Sequence, residues 1–296
     1  MATPYSTAQS CVCCSQPLRA GLEPWHWVCA ACGYESALLS PSINQAAAHE
    51  NVDERGRDAG LKALREANFR QLLDQIVRHT PPGTSMRLLD VGSAHGWFVK
   101  AATERGYDAL GLEPDHAVCA QARRDGAHVR EGFFPDALVE HEKFDVIVFN
   151  DVFEHIPASD RLLAQCTARL NPGGLLVLNL PSSRGLFYRT SKLLHRLGAS
   201  GFFDRLWQKG LPSPHLHYFH ARNLARLGAR HHLSLVESSH LASIHLSGLY
   251  ARITYVKSAL RWLAPVVWLG VVAAYPLVRW VAPSDIDVVI FRHEGT

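Results

Sequence analysis

The sequence lacks a strong excess of either charge, because 30 lysines and arginines stand against 27 acidic residues and the formal net charge is +3. So small a balance does not predict a surface that coats nucleic acid. The opening residues lack the basic start and apolar core of a secretory signal, so we expect a cytoplasmic protein. With 47% hydrophobic residues in 296, the chain can form one main domain with appendages.

Cysteine is scarce outside the first 32 residues, which hold five of the seven. Cys11 and Cys14 form one Cys-x2-Cys pair, and Cys29 and Cys32 form another after fourteen intervening residues, which is the spacing of a small zinc ribbon. We therefore predict a structural Zn²⁺ ion bound by these four thiolates. Free or redox-active thiols are the alternative, and Cys13 could replace a neighbour as ligand.

A glycine-containing turn follows the apolar run at 86–91 and precedes residues with helical spacing. The turn, Gly92 to Gly96, predicts a strand, a tight bend and a helix start. Its glycines allow close approach of a ligand to the backbone, and the helix start offers unpaired N–H groups. Many nucleotide-binding α/β proteins contain such a turn, so a dinucleotide-binding domain is the alternative.

A second strand, 107–113, ends in the carboxylate of Glu113, seventeen residues after Gly96. An acid at this point can accept hydrogen bonds from both hydroxyls of a ribose. Asp90 places a negative charge before the turn, which disfavours a pyrophosphate and suits a cofactor with a cationic tail. These residues resemble the first motif of the class I S-adenosylmethionine-dependent methyltransferases, with Ala94 at the position of the middle glycine.

The resemblance covers roughly residues 58–240, with a last strand near 286–292, and implies an α/β fold with a Rossmann-like, doubly wound, seven-stranded sheet. It implies S-adenosylmethionine as cofactor. Phe133 follows the third strand, where the family contacts the adenine ring, although Phe133 or Phe134 could equally belong to the core. The residues expected to bind the cofactor are Asp90, Gly92, Ala94, Gly96, Glu113, Phe133, Asn150 and Asp151.

The segment after the fourth strand contains Glu154 and His155 and is similar to the family's segment that lines the methyl-donor pocket. His155 could accept a proton from a substrate hydroxyl, because an imidazole pKa near ~6.5 suits a general base. Packing against the following helix is the alternative. The Asn/Asp-Pro-Pro-aromatic motif of base-amine methyltransferases is absent here, which disfavours that activity.

Histidines recur in the stretch Pro214–His220. No acid or cysteine accompanies them in the sequence, so a metal site there is disfavoured. A similar histidine and aromatic stretch lines the acceptor site in the resembled family, which makes His217 a second catalytic candidate.

Residues 184–214 form an insertion in which six basic residues stand against one acid and are interleaved with aromatic residues. This composition suits a lid over an anionic substrate or a surface that contacts lipid head groups. An amphipathic helical pair with solvated charges is the alternative.

A second insertion, 242–285, has no acidic residue before Asp285 and contains a run of uncharged residues at 262–278 between basic flanks. That run is at the lower limit for crossing a bilayer, but the chain must return to add its last strand, and Pro265 and Pro276 interrupt a straight helix. We expect an apolar helical insertion at the inner face of the membrane. A dimer interface or an apolar wall for a bulky substrate is the alternative.

The predicted organisation is a zinc-ribbon-like segment at 1–36, a linker at 37–57, and a methyltransferase domain at 58–296 that contains both insertions. The predicted activity is O-methylation of a small-molecule or lipid-linked acceptor, such as a glycan intermediate or quinone precursor, by a cytoplasmic enzyme with peripheral membrane contact. Two alternatives are an RNA-modifying methyltransferase that uses the ribbon to bind nucleic acid, which the charge disfavours, and a non-catalytic cofactor-binding scaffold.

Overall fold

Short strands occur at the amino terminus and long apolar strands alternate with helices after it. The computed structural model describes residues 10–42, 54–243, 265–266, 268–270, 272–273 and 283–295. Its strands are β1 (Arg19–Ala20), β2 (His26–Val28), β3 (Glu35–Ala37), β4 (Arg87–Val91), β5 (Asp108–Glu113), β6 (Val129–Glu131), β7 (Phe144–Asn150), β8 (Leu170–Pro181), β9 (His217–Tyr218), β10 (Leu233–Leu241) and β11 (Ile286–His293).

The helices lie between these strands, as the alternation of the sequence predicts. They are α1 (Glu54–Arg78), α2 (Trp97–Glu104), α3 (His116–Arg124), α4 (Ser159–Arg169), α5 (Leu186–Arg196), α6 (Gly201–Leu206) and α7 (Ala221–Ala229). Among the residues that the structure describes, we find no helix with both the length and the apolar character needed to span a bilayer.

Seven strands form the main sheet in the order β10-β11-β8-β7-β4-β5-β6. The five strands from β8 to β6 are parallel to one another, whereas β11 lies antiparallel between β8 and β10. The predicted doubly wound seven-stranded fold is therefore confirmed. From β4 the chain continues to β5 and β6 on one side of the sheet, and from β7 it continues to β8 on the other side. The direction of the strand order therefore reverses between β4 and β7, and a crevice opens beyond the carboxyl ends of these two strands.

Side chains of the central strands alternate between two apolar layers. Leu88 and Val146 pack with α1 and α2 on one face, while Leu89 and Ile147 pack with α4 and α7 on the other. Because both faces are covered, the parallel strands read as nearly continuous apolar runs. Asp90, Glu113 and Asn150 lie at the carboxyl ends of β4, β5 and β7, where the crevice opens.

The ribbon segment is continuous with the main domain. Its strands form a four-stranded sheet in the order β1-β2-β3-β9, and β9 comes from the main domain, after α6. Residues 37–42, at the start of the predicted linker, also join this unit, because the Ser42 N–H donates to the Pro212 carbonyl at 2.7 Å. The remainder of that linker, 43–53, lies outside the described residues.

The insertion at 184–214 contains the helical pair α5 and α6. The aromatic side chains that the sequence placed on a lid or lipid-facing surface are instead buried against the ribbon: Tyr188, Phe203 and Trp207 are each no more than 2% exposed, and they pack with Trp25. Burial beside the ribbon removes more apolar surface from water than a solvated pair would. Most of the second insertion, 244–282, lies outside the described residues apart from three short helical pieces.

Candidate functional site

The turn after β4 has the tight bend that the sequence predicts. Gly92, Ala94 and Gly96 have φ values of 74°, 46° and 69°, which is the left-handed region that glycine adopts without a steric penalty. The N–H groups of Gly92 and Ser93 both donate to the Leu112 carbonyl, at 2.8 and 2.9 Å. These bonds hold the turn beside the end of β5.

Glu113 lies at the end of β5 and is 8% exposed. One carboxyl oxygen accepts from the Ala94 N–H at 2.9 Å and the other from the Asp115 N–H at 2.8 Å. Burial raises the pKa of Glu113, and these two hydrogen bonds oppose the rise. Since a carboxylate oxygen has two acceptor positions, each oxygen keeps one for a further donor.

Asp90, at the start of the turn, is buried with 2% of its surface exposed. Its Oδ1 accepts no hydrogen bond from any residue that the structure describes. Burial, together with the charge of Glu113, raises the pKa of Asp90 to about 7. A cationic group beside this carboxyl would stabilise its ionised form.

Asn150 and Asp151 leave the end of β7 next to the turn. Asn150 Oδ1 accepts from Asn179 at 2.7 Å, while its buried Nδ2 has no partner among the described residues. Asp151 has a φ of 53°, and its N–H donates to the Asn179 carbonyl at 2.9 Å. The Asp151 side chain is exposed.

Two cavities meet at Gly92, Asp151 and Val152, which line both of them. The larger has a volume of about 710 Å³ and contains Glu113, Phe133 and His155 in its wall. The smaller, of about 180 Å³, is lined by Asp90 and Asn150 and by residues of α1 and α2. The turn therefore lies between Glu113 in the larger cavity and the buried Asp90 and Asn150 in the smaller one.

Phe133 and Phe134 differ in environment, which resolves the alternative left open by the sequence. Phe133 is 54% exposed and lines the larger cavity. Phe134 also borders the cavity, but it packs against the core with its ring edge-on to Phe149 at 6.0 Å between centroids. Phe133 is the ring that is free to stack on a flat ligand.

His155 borders the larger cavity. Its Nδ1 lies 2.9 Å from the Pro214 carbonyl, and because a carbonyl only accepts, Nδ1 carries the proton and Nε2 has a lone pair. Burial lowers the pKa of His155 despite hydrogen bonds to Pro214 and Ser213. At neutral pH, His155 is therefore a neutral imidazole that borders the larger cavity and carries its lone pair on Nε2.

His217, predicted as a second catalytic histidine, is not among the residues that line these two cavities. It is 6% exposed, its Nε2 donates to the Ile156 carbonyl at 2.9 Å, and its Nδ1 accepts from the Tyr34 hydroxyl. Burial lowers its pKa to about 4. Because both ring nitrogens are engaged where β9 meets the ribbon, His217 connects the ribbon to the domain.

Two neighbours of His155 were missed as site residues by sequence reasoning. Glu154 is fully buried, and burial raises its pKa well above the ordinary value. His215 is 7% exposed and packs its ring against that of His155 at 4.7 Å. The sequence signal for Glu154 is the Glu-His pair itself, but 60 residues separate Glu154 from His215, so the sequence does not indicate their proximity.

The four predicted cysteines converge at one point of the ribbon. The Sγ atoms of Cys11 and Cys32 are 3.5 Å apart, as are those of Cys14 and Cys29, and all four lie within 4.8 Å of one another. A tetrahedral zinc ion with Zn–S bonds of about 2.3 Å needs sulfur separations of about 3.8 Å. The cluster could therefore hold such an ion, and Cys13 is not a member of it.

The two cavities also fit S-adenosylmethionine. The unpartnered Asp90 Oδ1 and Asn150 Nδ2 supply an acceptor and a donor in the smaller cavity, which suit an ammonium and a carboxylate. Glu113 and Phe133 supply a hydroxyl acceptor and an aromatic face in the larger one. The strand order and this arrangement define a class I S-adenosylmethionine-dependent methyltransferase fold.

A family model described as a methyltransferase domain matches residues 64–238, more than half of the chain. The chain belongs to this family. It is 27% identical over 140 residues to a ubiquinone biosynthesis O-methyltransferase of Azorhizobium caulinodans, covering 43% of this chain and 55% of the relative. It is 35% identical over 144 residues to an uncharacterised methyltransferase of Mycobacterium sp. strain KMS, covering 46% and 54%.

The chain thus spans about half the length of the curated relatives it matches. Among solved structures, a methyltransferase from Archaeoglobus fulgidus that depends on S-adenosylmethionine aligns with a TM-score of 0.52 and 16% identity, over 81% of this chain and all of that one. At this identity the likeness concerns the fold alone, so the acceptor has to be argued from the site.

Proposed function

We propose that this protein transfers a methyl group from S-adenosylmethionine to a hydroxyl oxygen of a small-molecule or lipid-linked acceptor, such as a glycan intermediate or quinone precursor. The observation that supports this most is the meeting of two cavities over Gly92, with Glu113 in the wall of one and the unpartnered Asp90 in the other.

The cofactor would lie across the turn from Gly92 through Ala94 to Gly96. Glu113 would accept the ribose hydroxyls through the acceptor positions that Ala94 and Asp115 leave open. Phe133 would stack on the adenine ring, while Asp90, Asn150 and Asp151 would bind the methionine end. S-adenosylmethionine supplies a methyl group on a positively charged sulfur, which is already activated for transfer, so alignment accounts for much of the acceleration.

His155 would act on the acceptor hydroxyl through Nε2. The hydrogen bond from Nδ1 to the Pro214 carbonyl holds the ring in one tautomer, and burial keeps it neutral. A neutral imidazole can lower the cost of removing the hydroxyl proton, which strengthens the oxygen as a nucleophile.

The acceptor would occupy the rest of the larger cavity, where Pro41, Ile156 and Pro212 give the wall an apolar character. Such a wall suits a ring or an isoprenoid-like chain better than a nucleotide. The similarity to a ubiquinone biosynthesis O-methyltransferase points to an aromatic or quinone-like hydroxyl. The relative is 27% identical, so the acceptor requires a direct test.

Membrane contact and zinc are part of the same proposal. Arg184, Arg189 and Arg196 are exposed on and beside α5, where they could face anionic head groups at the inner side of the membrane. We further propose that the four-cysteine cluster binds one structural Zn²⁺, because four thiolates close its coordination shell and leave no open position for catalysis.

The activity can be tested with labelled S-adenosylmethionine in a lysate separated into lipid, sugar and RNA pools. We expect label in the lipid or small-molecule pool. Label confined to RNA would contradict the proposed acceptor, and absence of label from every pool would contradict the proposed activity.

The variant Glu113→Gln supplies the matched test of the cofactor site. Hydrogen bonds to charged groups contribute about 1.5–3 kcal/mol, so we expect the Kd for S-adenosylhomocysteine to rise about 10- to 100-fold in calorimetry. Glu131→Gln is the control, because Glu131 lies at the end of the adjacent strand β6 and pairs with His116 on the surface. Equal affinities of the two variants for S-adenosylhomocysteine would show that Glu113 does not bind the cofactor.

A further inference from the structure

Glu154 is a buried acid whose carboxyl has no hydrogen-bond partner among the described residues. It lies in the short 3-10 turn Phe153–His155 that follows β7 and is 0% exposed. Neither carboxyl oxygen accepts a hydrogen bond from any residue that the structure describes. Burying a polar group without a hydrogen bond is unfavourable, so a carboxyl that lacks one in a native site points to a missing ligand.

Two imidazole nitrogens face the same carboxyl oxygen. Nε2 of His155 and Nε2 of His215 each lie 3.9 Å from Glu154 Oε1. The three donor atoms lie within 4.8 Å of one another. One carboxylate and two histidines thus converge from two distant segments of the chain.

In both imidazoles the lone pair is on Nε2, the nitrogen that lies near Glu154 Oε1. The His155 Nδ1 donates to the Pro214 carbonyl, which fixes its Nε2 as the unprotonated nitrogen. Histidines that ligate metals are commonly oriented by such a bond from the other ring nitrogen to a backbone carbonyl. The Gln208 amide nitrogen lies 2.9 Å from His215 Nε2, so this nitrogen also accepts, and an ion would replace the amide as its partner.

We propose that Glu154, His155 and His215 bind one divalent transition-metal ion beside the larger cavity, which His155 borders. A carboxylate oxygen with two imidazole nitrogens suits zinc, iron(II), cobalt(II) or nickel(II). Ligand bonds of about 2.1 Å need donor separations of roughly 3.0–3.4 Å, so each 3.9 Å distance has to contract by less than about 1 Å. Three protein ligands leave coordination positions open.

The chemical role of this ion rests on the proposed function. The acceptor hydroxyl oxygen binds at an open position, and its O–H bond breaks as the proton passes to water. The oxygen then forms a bond to the methyl carbon while the S–CH₃ bond breaks and the sulfur keeps the electron pair. The ion would act as a Lewis acid that lowers the pKa of the hydroxyl, and His155 would contribute as a ligand.

The site can be tested on the full-length protein with its cysteine cluster first loaded with zinc. Cobalt(II) is then added, and both metals are counted per chain after equilibrium dialysis. We expect the wild type to retain about one cobalt in addition to zinc, without the sulfur-to-cobalt absorption that thiolate ligands give. Retention of no cobalt, or displacement of zinc from the cysteines, would overturn the proposal.

Two variants test the ligands independently. Glu154→Gln preserves the side-chain shape, and His215→Asn leaves the carboxylate in place, so a folding failure in one leaves the other informative. We expect each to weaken cobalt binding at least about 100-fold. His128→Asn, at an exposed position before β6, is the control and should bind as the wild type does. Unchanged cobalt binding in both ligand variants would refute the site.

The metal site and the methyl-transfer activity can be refuted independently of each other. Cobalt retained by a protein that labels no acceptor would leave the ion site in place and refute the proposed function. Methyl transfer at an unchanged rate after chelation of the second ion would leave the function in place. That outcome would refute the role of the ion, and direct proton transfer to His155 Nε2 would replace it.

Discussion

At the scale of single residues, Gly92 lies where the two cavities meet and lines both of them. A Cβ atom added there would lie 2.6 Å from Val152 Cγ2, and its backbone has a φ of 74°. We therefore expect Gly92→Ala to weaken binding of S-adenosylhomocysteine at least about 10-fold, because the methyl group blocks the junction and the turn is strained by roughly 1–2 kcal/mol. Calorimetric titration measures this change.

The control for Gly92→Ala is Gly83→Ala, since Gly83 has a φ of 75° and nothing lies within 4 Å of an added Cβ. It carries the same backbone penalty without the contact, so we expect a similar loss of stability and unchanged affinity. Val152→Ala in the Gly92→Ala background should restore part of the binding. If Gly83→Ala weakened binding equally, general destabilisation would explain the effect.

Part of the candidate site was predictable because parallel strands bring their carboxyl ends to one edge. Asp90, Glu113 and Asn150 each lie at or next to the carboxyl end of an apolar strand, and the structure places all three around the turn. Glu154 and His215 were not predictable as a pair, because their contact depends on how the insertion folds back. His217 was assigned from its resemblance alone, and burial at the ribbon gives it another role.

At the scale of elements, Glu142 links strands on one side of the sheet. It is 8% exposed at the side chain and lies within ion-pair distance of Arg87 in β4 and Arg130 in β6, at 3.0 and 2.8 Å. Burial raises the pKa of Glu142, but hydrogen bonds from Arg130, Val139 and Arg87 outweigh it and lower the pKa to about 2. Its ionised form therefore stabilises the folded protein.

The lowered pKa of Glu142 makes the free energy of unfolding depend on pH. A carboxyl with a lowered folded-state pKa contributes its full stability above its unfolded value of about 4.3 and loses it as the pH falls towards about 2. We expect Glu142→Gln to reduce the free energy of unfolding by roughly 1–2 kcal/mol at pH 7, because the two arginines are partly solvated. The difference from wild type should shrink below pH 4.

Denaturant titrations at pH 7, 4 and 2.5 measure this difference. Glu140→Gln is the control, because Glu140 is exposed on the same loop and surface substitutions usually change stability by about 0.5 kcal/mol or less. A loss at pH 7 that persisted unchanged at pH 2.5 would attribute the effect to shape and not to charge.

The strands of the main sheet were more predictable than the elements around the insertion. Strands such as β7 are apolar on both faces and lie between helices, so their period and length identify them. The two-residue strand β9 has no such pattern, and its pairing with β3 depends on a partner 180 residues away in the sequence. Which way the aromatic residues of α5 and α6 face was likewise not predictable, because they pack against ribbon residues that are distant in the sequence.

At the scale of the whole molecule, the ribbon and the main domain share buried polar contacts as well as a sheet. Glu35 in β3 accepts hydrogen bonds from Tyr188 and Lys192 of α5, both at 2.7 Å, and from His26 at 2.7 Å. Burial raises the pKa of Glu35, but the partners His26 and Lys192 outweigh it and lower the pKa. Unfolding the ribbon would separate Glu35 from Tyr188 and Lys192 and leave the Tyr188 hydroxyl without this acceptor, so the two parts are expected to unfold together.

Loss of the predicted zinc should therefore affect the whole molecule. The double variant Cys29→Ser/Cys32→Ser removes two of the four clustered ligands, and because metal binding energy is folding energy in such ribbons, we expect it to lose one zinc per chain. We also expect a lower temperature for a single thermal transition. The larger cavity should bind acceptor more weakly, since Pro41 follows the ribbon directly in the chain.

Calorimetric melting with metal analysis measures these losses, and Cys13→Ser is the matched control. Cys13 is 2% exposed in the same ribbon but lies outside the four-cysteine cluster, so its variant should keep the zinc and melt near the wild type. Loss of zinc in Cys13→Ser would show that the ligand set is wrong. An unchanged melting temperature in the double variant would show that the domain folds independently of the ribbon, despite the shared strand β9 and the buried Glu35.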